Sequence, residues 1–231
     1  MEKKTSPAVL VLAGPSGVGK TTVAERLLED GDTFLFSRSA TTRPPRGDGH
    51  DDEYVYLSPV EFSARAEGGE LLEWMRYGEH LYGTPQSEID RILSLGRSPL
   101  LILDLQGVRS LRAKKLPVPL VCIYLWGDPD RVEERLYCRE LGDAPTADGL
   151  CRFAARKQQN LDDYEALSGL LPLFDGVLEN REGEPDRCAD AVRDLFFAAP
   201  DGREPDWEEM SRVAARLADY AEKKKDYRRP M

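Results

Sequence analysis

The first residues that could do chemistry are the glycine-rich stretch 14–21, which fits the pattern G-x-x-x-x-G-K-[ST] without a mismatch. Glycines at this spacing let backbone N–H groups point at the β- and γ-phosphates, while the lysine adds a positive charge. An apolar run precedes the stretch and an amphipathic segment follows it, so the N-terminal dipole of a helix also faces the anion. The stretch therefore predicts a nucleoside triphosphate site formed by Gly14, Pro15, Ser16, Gly17, Val18, Gly19, Lys20, Thr21 and Thr22, with the Thr21 hydroxyl in a Mg²⁺ shell.

A second candidate anion site follows in the stretch 39–54, which contains Arg43 and Arg46 three residues apart. Guanidinium groups bind phosphate in a bidentate manner, and hydroxyls from Ser39 and Tyr54 suit the remaining phosphate oxygens. Two prolines between the arginines stiffen the turn. A solvated basic loop paired with nearby aspartates is the alternative interpretation.

Short apolar runs alternate with helical patterns along most of the chain. Near-continuous apolar runs predict strands that are buried on both faces, as in a parallel sheet. Strands that alternate with helices indicate βαβ units and an α/β fold with a doubly wound parallel sheet. The predicted strands are 8–13, 100–105, 120–125 and 176–178.

Three segments depart from this rhythm. Residues 34–84 show short polar strands and one helix capped by Ser58, which predicts a mixed, largely antiparallel insert. Residues 140–149 are polar and contain Gly, Pro and Asp, which predicts a mobile loop. From residue 201 onward we expect a helix that packs on the domain, with a partner-binding arm as the alternative; its apolar face is Met210, Val213, Ala214, Leu217 and Tyr220.

Composition limits the class of protein. The 231 residues carry a net charge of −10, which argues against a nucleic-acid-binding surface. No apolar run approaches the roughly 20 residues that span a bilayer, and no signal-peptide cleavage site is present, so we expect a cytoplasmic protein without a membrane partner. The four cysteines are widely spaced, which favours free thiols over a zinc site. A monomer and a homodimer remain open.

The ordered set of motifs resembles the guanylate kinase family over roughly residues 8–197. The resemblance rests on the glycine-rich stretch, on S-x-x-T-T-R-x-P-R and on the tyrosine downstream of it. It also rests on E-[FLM]-[IL]-E, on Y-G-[TS] and on D-x-Q-G. In this chain these motifs are Gly14–Thr22, Ser39–Arg46, Tyr54, Glu70–Glu73, Tyr82–Thr84 and Asp104–Gly107.

The resemblance implies an α/β P-loop kinase with a doubly wound parallel core, a small mixed nucleotide-monophosphate-binding subdomain and a mobile lid. Its expected limits are a guanylate-kinase-like domain at 1–200 and a helical tail at 201–231. Within the domain we expect the core at about 7–36 and 98–200, a GMP-binding insert at about 37–97 and a lid at about 139–152.

The implied reaction converts MgATP and GMP, and by extension dGMP, to MgADP and the nucleoside diphosphate. By resemblance, the GMP phosphate is held by Ser39, Arg43, Arg46, Tyr54 and Tyr82. Glu73 would accept hydrogen bonds from guanine N1–H and the exocyclic amine, while Thr84 would face O6. The chemistry is sound because adenine lacks these two adjacent donors, and each unsatisfied group costs on the order of 1–3 kcal/mol.

Further roles follow from the same resemblance. Asp104 would orient the Mg²⁺ shell or Lys20, and Asn180 would lie near the adenine of ATP. Phosphoryl transfer depends mainly on positioning and charge neutralisation, so arginines on a closing lid suit it. The implied catalytic residues are Lys20, Arg43, Asp104, Arg135, Arg139 and Arg152.

Three departures leave other interpretations open. Ile102 stands where the family has a second acidic residue, and Gln159 where it often has glutamate. The lid is longer than usual and carries Glu140 directly after Arg139 in place of R-G-T. A kinase for a sugar phosphate of the ribose 1,5-bisphosphate type is one alternative. A catalytically silent binding module of the same fold is the other, although such modules typically lack the intact lysine and threonine seen here.

Overall fold

The computed structural model describes residues 6–29, 31–45, 47, 51–142 and 145–226. Nine strands and eight helices lie in these ranges. In chain order they are β1 (Val9–Ala13), α1 (Lys20–Leu28), β2 (Phe34–Phe36), β3 (Ser39–Thr41), β4 (Tyr54–Tyr56), α2 (Pro59–Glu67), β5 (Leu71–Tyr77), β6 (His80–Pro85), α3 (Gln86–Ser94), β7 (Ser98–Ile102), α4 (Leu105–Arg112), β8 (Leu120–Trp126), α5 (Pro129–Leu141), α6 (Ala147–Leu170), β9 (Gly176–Glu179), α7 (Pro185–Ala198) and α8 (Trp207–Asp226).

The strands form a five-stranded sheet of order β2-β7-β1-β8-β9 and a four-stranded sheet of order β4-β3-β6-β5. In the larger sheet β2 pairs parallel with β7, and β8 pairs parallel with β9. In the smaller sheet β3 is parallel to β4 and antiparallel to β6. The predicted α/β class, with a parallel core sheet and a mixed insert, is confirmed.

The predicted strand at 100–105 is wrong at its end. Strand β7 stops at Ile102, and Asp104 is the N-cap of α4, because its carboxylate accepts a hydrogen bond of 2.7 Å from Gly107 N. Leu105 is therefore the first residue of a helix although it is apolar. The apolar run continues across the junction because β7 and α4 are both buried, and a run of this kind does not reveal where a strand ends.

Two compact units divide the chain. The first comprises residues up to Val11 and Leu27–Val121, and the second comprises Leu12–Arg26 and residues from Cys122 onward. Strands β1 and β8 run through both units. The boundaries expected for the insert and the lid stay predictions.

In the first unit, the smaller sheet has one apolar face. Ala40, Phe62 and Leu71 form a buried cluster there, with Phe62 contributed by α2. The predicted cap of this helix is confirmed as a capping box, in which Ser58 and Glu61 bond to each other's backbone N–H groups. Because side chains alternate along a strand, the same sheet has a second face, on which polar residues collect.

In the second unit, the loop predicted at 140–149 is wrong at both ends. Helix α5 continues through Leu141, and α6 begins at Ala147 with Thr146 as its N-cap, which accepts from Gly149 N at 3.0 Å. The polar composition was misleading because Glu140 is a helical residue whose charge is paired with arginines. A polar segment indicates a loop only if its side chains are solvated, and the Glu140 side chain is bonded instead.

The C-terminal helix α8 packs within the second unit. Met210, Val213, Ala214 and Leu217 are buried, as the predicted apolar face requires. The Tyr220 hydroxyl donates to Asp130 at 3.0 Å. These contacts favour the packed helix over the partner-binding arm. None of the helices in the described part of the chain carries an apolar stretch that could cross a lipid bilayer.

A paired carboxylate supports the first unit. Glu88 on α3 is 6% exposed, and it accepts hydrogen bonds from Arg38 at 2.6 and 3.2 Å and from Arg91 at 3.0 Å. Burial opposes its ionisation, but the hydrogen bonds and charges of the two arginines prevail and lower the pKa of Glu88 to about 2. Glu88 is therefore charged in the folded protein throughout the range in which the protein functions.

We predict that Glu88 makes folding stability depend on acid pH. Its ordinary pKa is 4.5, so the folded protein binds fewer protons than the unfolded chain between pH 4.5 and 2, and stability falls as the pH drops through this window. Because the arginines are half exposed, we expect a contribution of about 1 to 2 kcal/mol rather than the full shift. Urea titrations at pH 3 to 7 should show a weaker dependence in Glu88→Gln than in the wild type, because other carboxylates with a lowered pKa keep their own contributions. The matched control is Glu67→Gln, on the exposed side of α2; equal pH profiles for both variants would contradict the assignment.

Candidate active site

The glycine-rich stretch forms a loop between β1 and α1 whose backbone requires glycine. Gly14 has φ of +145°, and a Cβ on it would lie 2.2 Å from the Leu125 carbonyl oxygen. Gly19 has φ of +95°, and its Cβ would lie 2.6 Å from Asn180 Nδ2. Side chains are excluded at both places by conformation and by space. The loop is therefore held close to its surroundings in the second unit.

Two buried asparagines hold this loop. Asn160 on α6 accepts from Ser16 N at 2.7 Å and donates to Ser16 O at 2.9 Å, so its amide bonds both polar groups of one residue. Asn180, directly after β9, donates to Val18 O at 2.7 Å. Asn180 is a predicted site residue, but the sequence carried no signal for Asn160. Asn160 lies 144 residues from Ser16 in sequence, so no local pattern connects it with the loop.

The cationic and hydroxyl groups of the loop lie where the motif predicts. Lys20 is the first residue of α1, and its Nζ donates to the carbonyl oxygens of Gly14 at 2.7 Å and Pro15 at 3.0 Å. Thr21 follows in the first turn and is exposed. A lysine and a helix N-terminus in one glycine-rich loop suit the phosphates of a nucleotide.

The predicted transfer arginines lie on two helices of the second unit. Arg135 and Arg139 are on α5, and Arg152 is on α6. The Nε atom of Arg135 is buried and has no hydrogen-bond partner among the described residues. Arg139 and Arg152 both form ion pairs with Glu140, at 3.1 Å.

A further arginine lies closer to the loop and was missed from the sequence. Arg156 donates from Nη1 to the Ser16 hydroxyl at 3.3 Å. It follows Arg152 by one turn of α6, so the four-residue spacing of the two arginines was the signal that could have identified it. Arg156 is therefore an addition to the predicted set.

The polar face of the smaller sheet, in the first unit, collects the second group of predicted residues. Ser39 on β3 is opposite Tyr54 on β4, and Thr41 is opposite Tyr82 on β6. The rings of Tyr54 and Tyr82 meet edge to face with centroids 6.3 Å apart. Strand alternation thus gives Ser39, Tyr54 and Tyr82 a common face.

Arg43 is a buried cation beside this face. It is 6% exposed, and its Cζ lies 5.0 Å from the ring centroid of Tyr54 and 5.9 Å from that of Tyr56. Within the described ranges, no carboxylate forms an ion pair with it. A buried guanidinium that is partnered by rings and lacks a counter-ion suits an incoming anion. Arg46, predicted to act with it, lies outside the described residues.

A buried carboxylate lies further along the same face. Glu73 on β5 is 6% exposed and opposite Thr84 on β6, whose hydroxyl donates to it at 2.6 Å. Burial raises the pKa of Glu73 to about 7, the Thr84 hydrogen bond opposes this shift, and the charge of Asp104 adds to it. A Cβ on Gly107 would lie 3.3 Å from Asp104 Oδ1 and 3.5 Å from Glu73 Oε2. Two carboxylates therefore border Gly107, where a Cβ would already be in contact with both.

The chain is similar in sequence and in fold to known proteins. A family model described as guanylate kinase matches residues 6–184. The guanylate kinase of Synechococcus is 38% identical over 136 residues, which are 58% of this chain and 74% of that protein. That of Rhodopseudomonas palustris is 32% identical over 158 residues, 68% of this chain and 72% of that protein. The crystal structure of guanylate kinase from Anaplasma phagocytophilum is similar in fold, with a TM-score of 0.58 at 23% identity over 86% of this chain and 88% of that one.

We predict that Asn160 maintains the phosphate-binding form of the loop. In Asn160→Ala the two polar groups of Ser16 lose their partner, so the loop samples other conformations before it binds. MgATP should then bind about 3- to 10-fold more weakly in a calorimetric titration, since a net hydrogen bond contributes about 1 kcal/mol. The control is Gln159→Ala, which removes an exposed amide at the preceding position of α6. Equal MgATP affinities for the two variants would exclude the proposed role of Asn160.

We predict that Glu73 destabilises the folded protein at alkaline pH. Its pKa is about 7 in the folded protein against an ordinary 4.5. Folding therefore takes up a proton between pH 4.5 and 7, and stability falls as the pH rises through this window. Glu73→Gln should unfold at higher urea than the wild type at pH 8, with a gain of up to roughly 3 kcal/mol, and the gain should vanish near pH 4.5. Glu70→Gln, at an exposed position nearby, should show no such pH dependence. A gain for Glu73→Gln that is the same at both pH values would contradict this explanation.

Proposed function

Because the chain belongs to the guanylate kinase family, we propose that it transfers the γ-phosphoryl group of ATP to GMP, and equally to dGMP, to form ADP and the nucleoside diphosphate. Family membership supports the reaction and the two nucleotides. The individual roles of residues are proposed from the geometry. Each of the two units supplies one set of contacts.

The observation that carries the proposal is the polar face of the smaller sheet. It has a buried cation with tyrosine hydroxyls at one end and a buried carboxylate at the other. Tyr82 and Thr84 stand two residues apart on β6, which separates the two ends by about 7 Å along the strand. This arrangement fits a nucleoside monophosphate, with its phosphate at Arg43, Ser39, Tyr54 and Tyr82 and its base at Glu73 and Thr84.

Guanine suits the carboxylate end. Ionised Glu73 can accept from N1–H and from the exocyclic amine, and Asp104 provides a second carboxylate near Gly107. Asp104 could thus serve as the second carboxylate that position 102, an isoleucine here, does not supply. Guanine would then not depend on Glu73 alone for hydrogen-bond acceptors. Adenine offers no proton at N1, so it lacks the pair of adjacent donors and would leave one acceptor position of the buried carboxylate unpaired. The contact of Thr84 with O6 stays a prediction, since its hydroxyl donates to Glu73 in this structure.

ATP suits the loop in the second unit. The buried Nε of Arg135, which has no partner among the described residues, can donate to a phosphate oxygen. The Oδ1 atom of Asn180 is likewise a buried acceptor without a partner there, and it can accept from the adenine amino group. Lys20 would turn from Gly14 O and Pro15 O to the β- and γ-phosphates.

The expected Mg²⁺ fits a site that is completed by substrate. The described residues contain no group of three His, Cys, Asp or Glu side chains that could hold a metal ion. Mg²⁺ usually takes few protein ligands and several from phosphates and water, so the Thr21 hydroxyl, with Asp104 as the candidate for orienting its shell, is a suitable set. When bound, the ion neutralises charge on the transferred phosphates.

The transfer itself needs no base. An oxygen of the GMP phosphate, already ionised, forms a bond to the γ-phosphorus while the bond from that phosphorus to the β,γ-bridging oxygen breaks and leaves ADP. The chain's residues hold the two reactants and neutralise charge, and Arg135, Arg139 and Arg152 are proposed for the second task. Closing of the lid to exclude water is part of the same proposal.

Neither alternative is favoured. The silent binding module does not require an intact phosphate loop, and this chain retains Lys20 and Thr21 with their expected placement. The matched relatives carry the name guanylate kinase.

We predict selective turnover of GMP and dGMP in a coupled ADP-release assay with MgATP, against AMP, UMP and ribose 1,5-bisphosphate. Arg43→Ala should raise the KM for GMP by at least 10-fold with the KM for ATP unchanged, and Arg43→Lys should be intermediate because it keeps the charge and loses the fork. Arg76→Ala, at an exposed position on β5, is the matched control. Turnover of the sugar phosphate in preference to GMP, or an unchanged GMP dependence in Arg43→Ala, would contradict the proposal.

A further inference from the structure

Glu140, near the end of α5, is a buried carboxylate that collects three arginines. Its side chain is 9% exposed. Its Oε1 lies 3.2 Å from the Nε atoms of both Arg139 and Arg156, and its Oε2 lies 3.1 Å from Nε of Arg152. The three cations come from two helices, α5 and α6, so the carboxylate joins the helices at the point where the chain passes from one to the other.

The way in which the arginines are bound leaves Nη atoms for other partners. All three guanidinium groups approach Glu140 through Nε, and Arg139 also approaches it through Nη2 at 3.1 Å. The Nη1 atoms of the other two reach elsewhere, since Arg152 Nη1 bonds Asp148 and Arg156 Nη1 bonds the Ser16 hydroxyl in the phosphate loop at 3.3 Å. Glu140 thus connects two proposed transfer arginines to the loop through Arg156.

The charge of Glu140 is maintained by the same contacts. Burial opposes its ionisation, but the charge of Arg156 and the hydrogen bonds and charges of Arg152 and Arg139 prevail and lower the pKa of Glu140. A carboxylate that stays ionised at neutral pH can hold several cations at once. Arg139 and Arg152 are about half exposed. Without this partner the Arg139 side chain would be free to sample many rotamers, and Arg152 would retain its contact with the exposed Asp148 of its own helix.

We propose that Glu140 is the positioning residue of the phosphoryl-transfer arginines, holding Arg139, Arg152 and Arg156 as one group against the phosphate loop. The proposal rests on the proposed function, because it assigns Glu140 a role in that reaction. Glu140 itself does not touch the nucleotide; it acts through the arginines. The phosphoryl group would meet the Nη atoms of these arginines that Glu140 does not bind.

Glu140 also has an opposite effect, because its negative charge offsets the positive charge that the arginines present to a phosphate. This effect on the rate is smaller than the effect of positioning. Removing one negative charge about 8 Å from a solvated phosphate would strengthen phosphate binding only about twofold, since water screens the interaction. Misplacement of a reacting or charge-neutralising group by about 1 Å costs roughly 100-fold in rate. Loss of Glu140 should therefore slow the reaction rather than accelerate it.

The kinetic test is Glu140→Gln, which keeps the shape of the side chain and removes its charge. We expect kcat to fall at least 10-fold. The KM for GMP should change less than threefold, because other residues are proposed to bind GMP. Glu140→Asp should recover part of kcat. The matched control is Glu134→Gln on the same helix, whose carboxylate pairs with Arg131 at 2.8 Å and is 61% exposed. A kcat within twofold of wild type for Glu140→Gln, or equal losses in both variants, would overturn the proposal.

A second readout does not depend on activity. Arginine Nε–Hε groups that are held in ion pairs give sharp NMR signals, and lysine variants of each arginine assign them. We expect the signals of Arg139, Arg152 and Arg156 in the wild type to broaden together in Glu140→Gln and to stay unchanged in Glu134→Gln. Unchanged signals in Glu140→Gln would overturn the proposal. A wild-type protein that shows these signals but does not phosphorylate GMP would contradict the proposed function and leave the grouping of the arginines established.

Discussion

The structure depends on one constraint: a charge taken out of water must find partners or shift its ionisation. Three residues of the first unit are equally buried, each 6% exposed, and they meet this constraint differently. Glu88 is bound by two arginines and has a pKa near 2. Glu73 has one hydroxyl donor and a pKa of about 7. Arg43 lies against tyrosine rings. The fully paired charge supports the fold, and the two that lack a full set of partners mark the proposed binding face.

The same constraint governs the phosphate loop in the second unit. Glycines permit its conformation but do not maintain it, because they are the residues with the most freedom to lose. Its backbone groups are instead bonded by the buried amides of Asn160 and Asn180. A loop held in this way meets a phosphate without first having to become ordered, which lowers the entropic cost of binding. The loop loses its conformational entropy when the protein folds and α6 and β9 pack, and not when the phosphate binds.

Helix α8 supports this arrangement although it lies beyond residues 6–184, which the family model matches. Its apolar residues are buried, and Tyr220 and Lys224 bond Asp130 near the start of α5. Lys225 bonds Glu165 on α6 at 2.7 Å. The helices that carry the arginines are therefore both contacted by α8, and the tail is part of the framework of the second unit.

The sequence by itself determined the chemistry at the phosphate loop, because every group there lies within eight consecutive residues and the pattern has a direct mechanical meaning. It also determined the α/β class and the residues of the polar sheet face, since strand alternation and the motif order are local features. Only the tertiary structure decided that 140–149 is largely helical, that Asp104 caps α4, and that Asn160 and Arg156 reach Ser16. The two contacts with Ser16 come from residues 144 and 140 positions away. Glu140 and Asp104 have partners nearer in the chain, but residue type and spacing do not show whether such a polar side chain is solvated in a loop or bonded in a helix or at its cap.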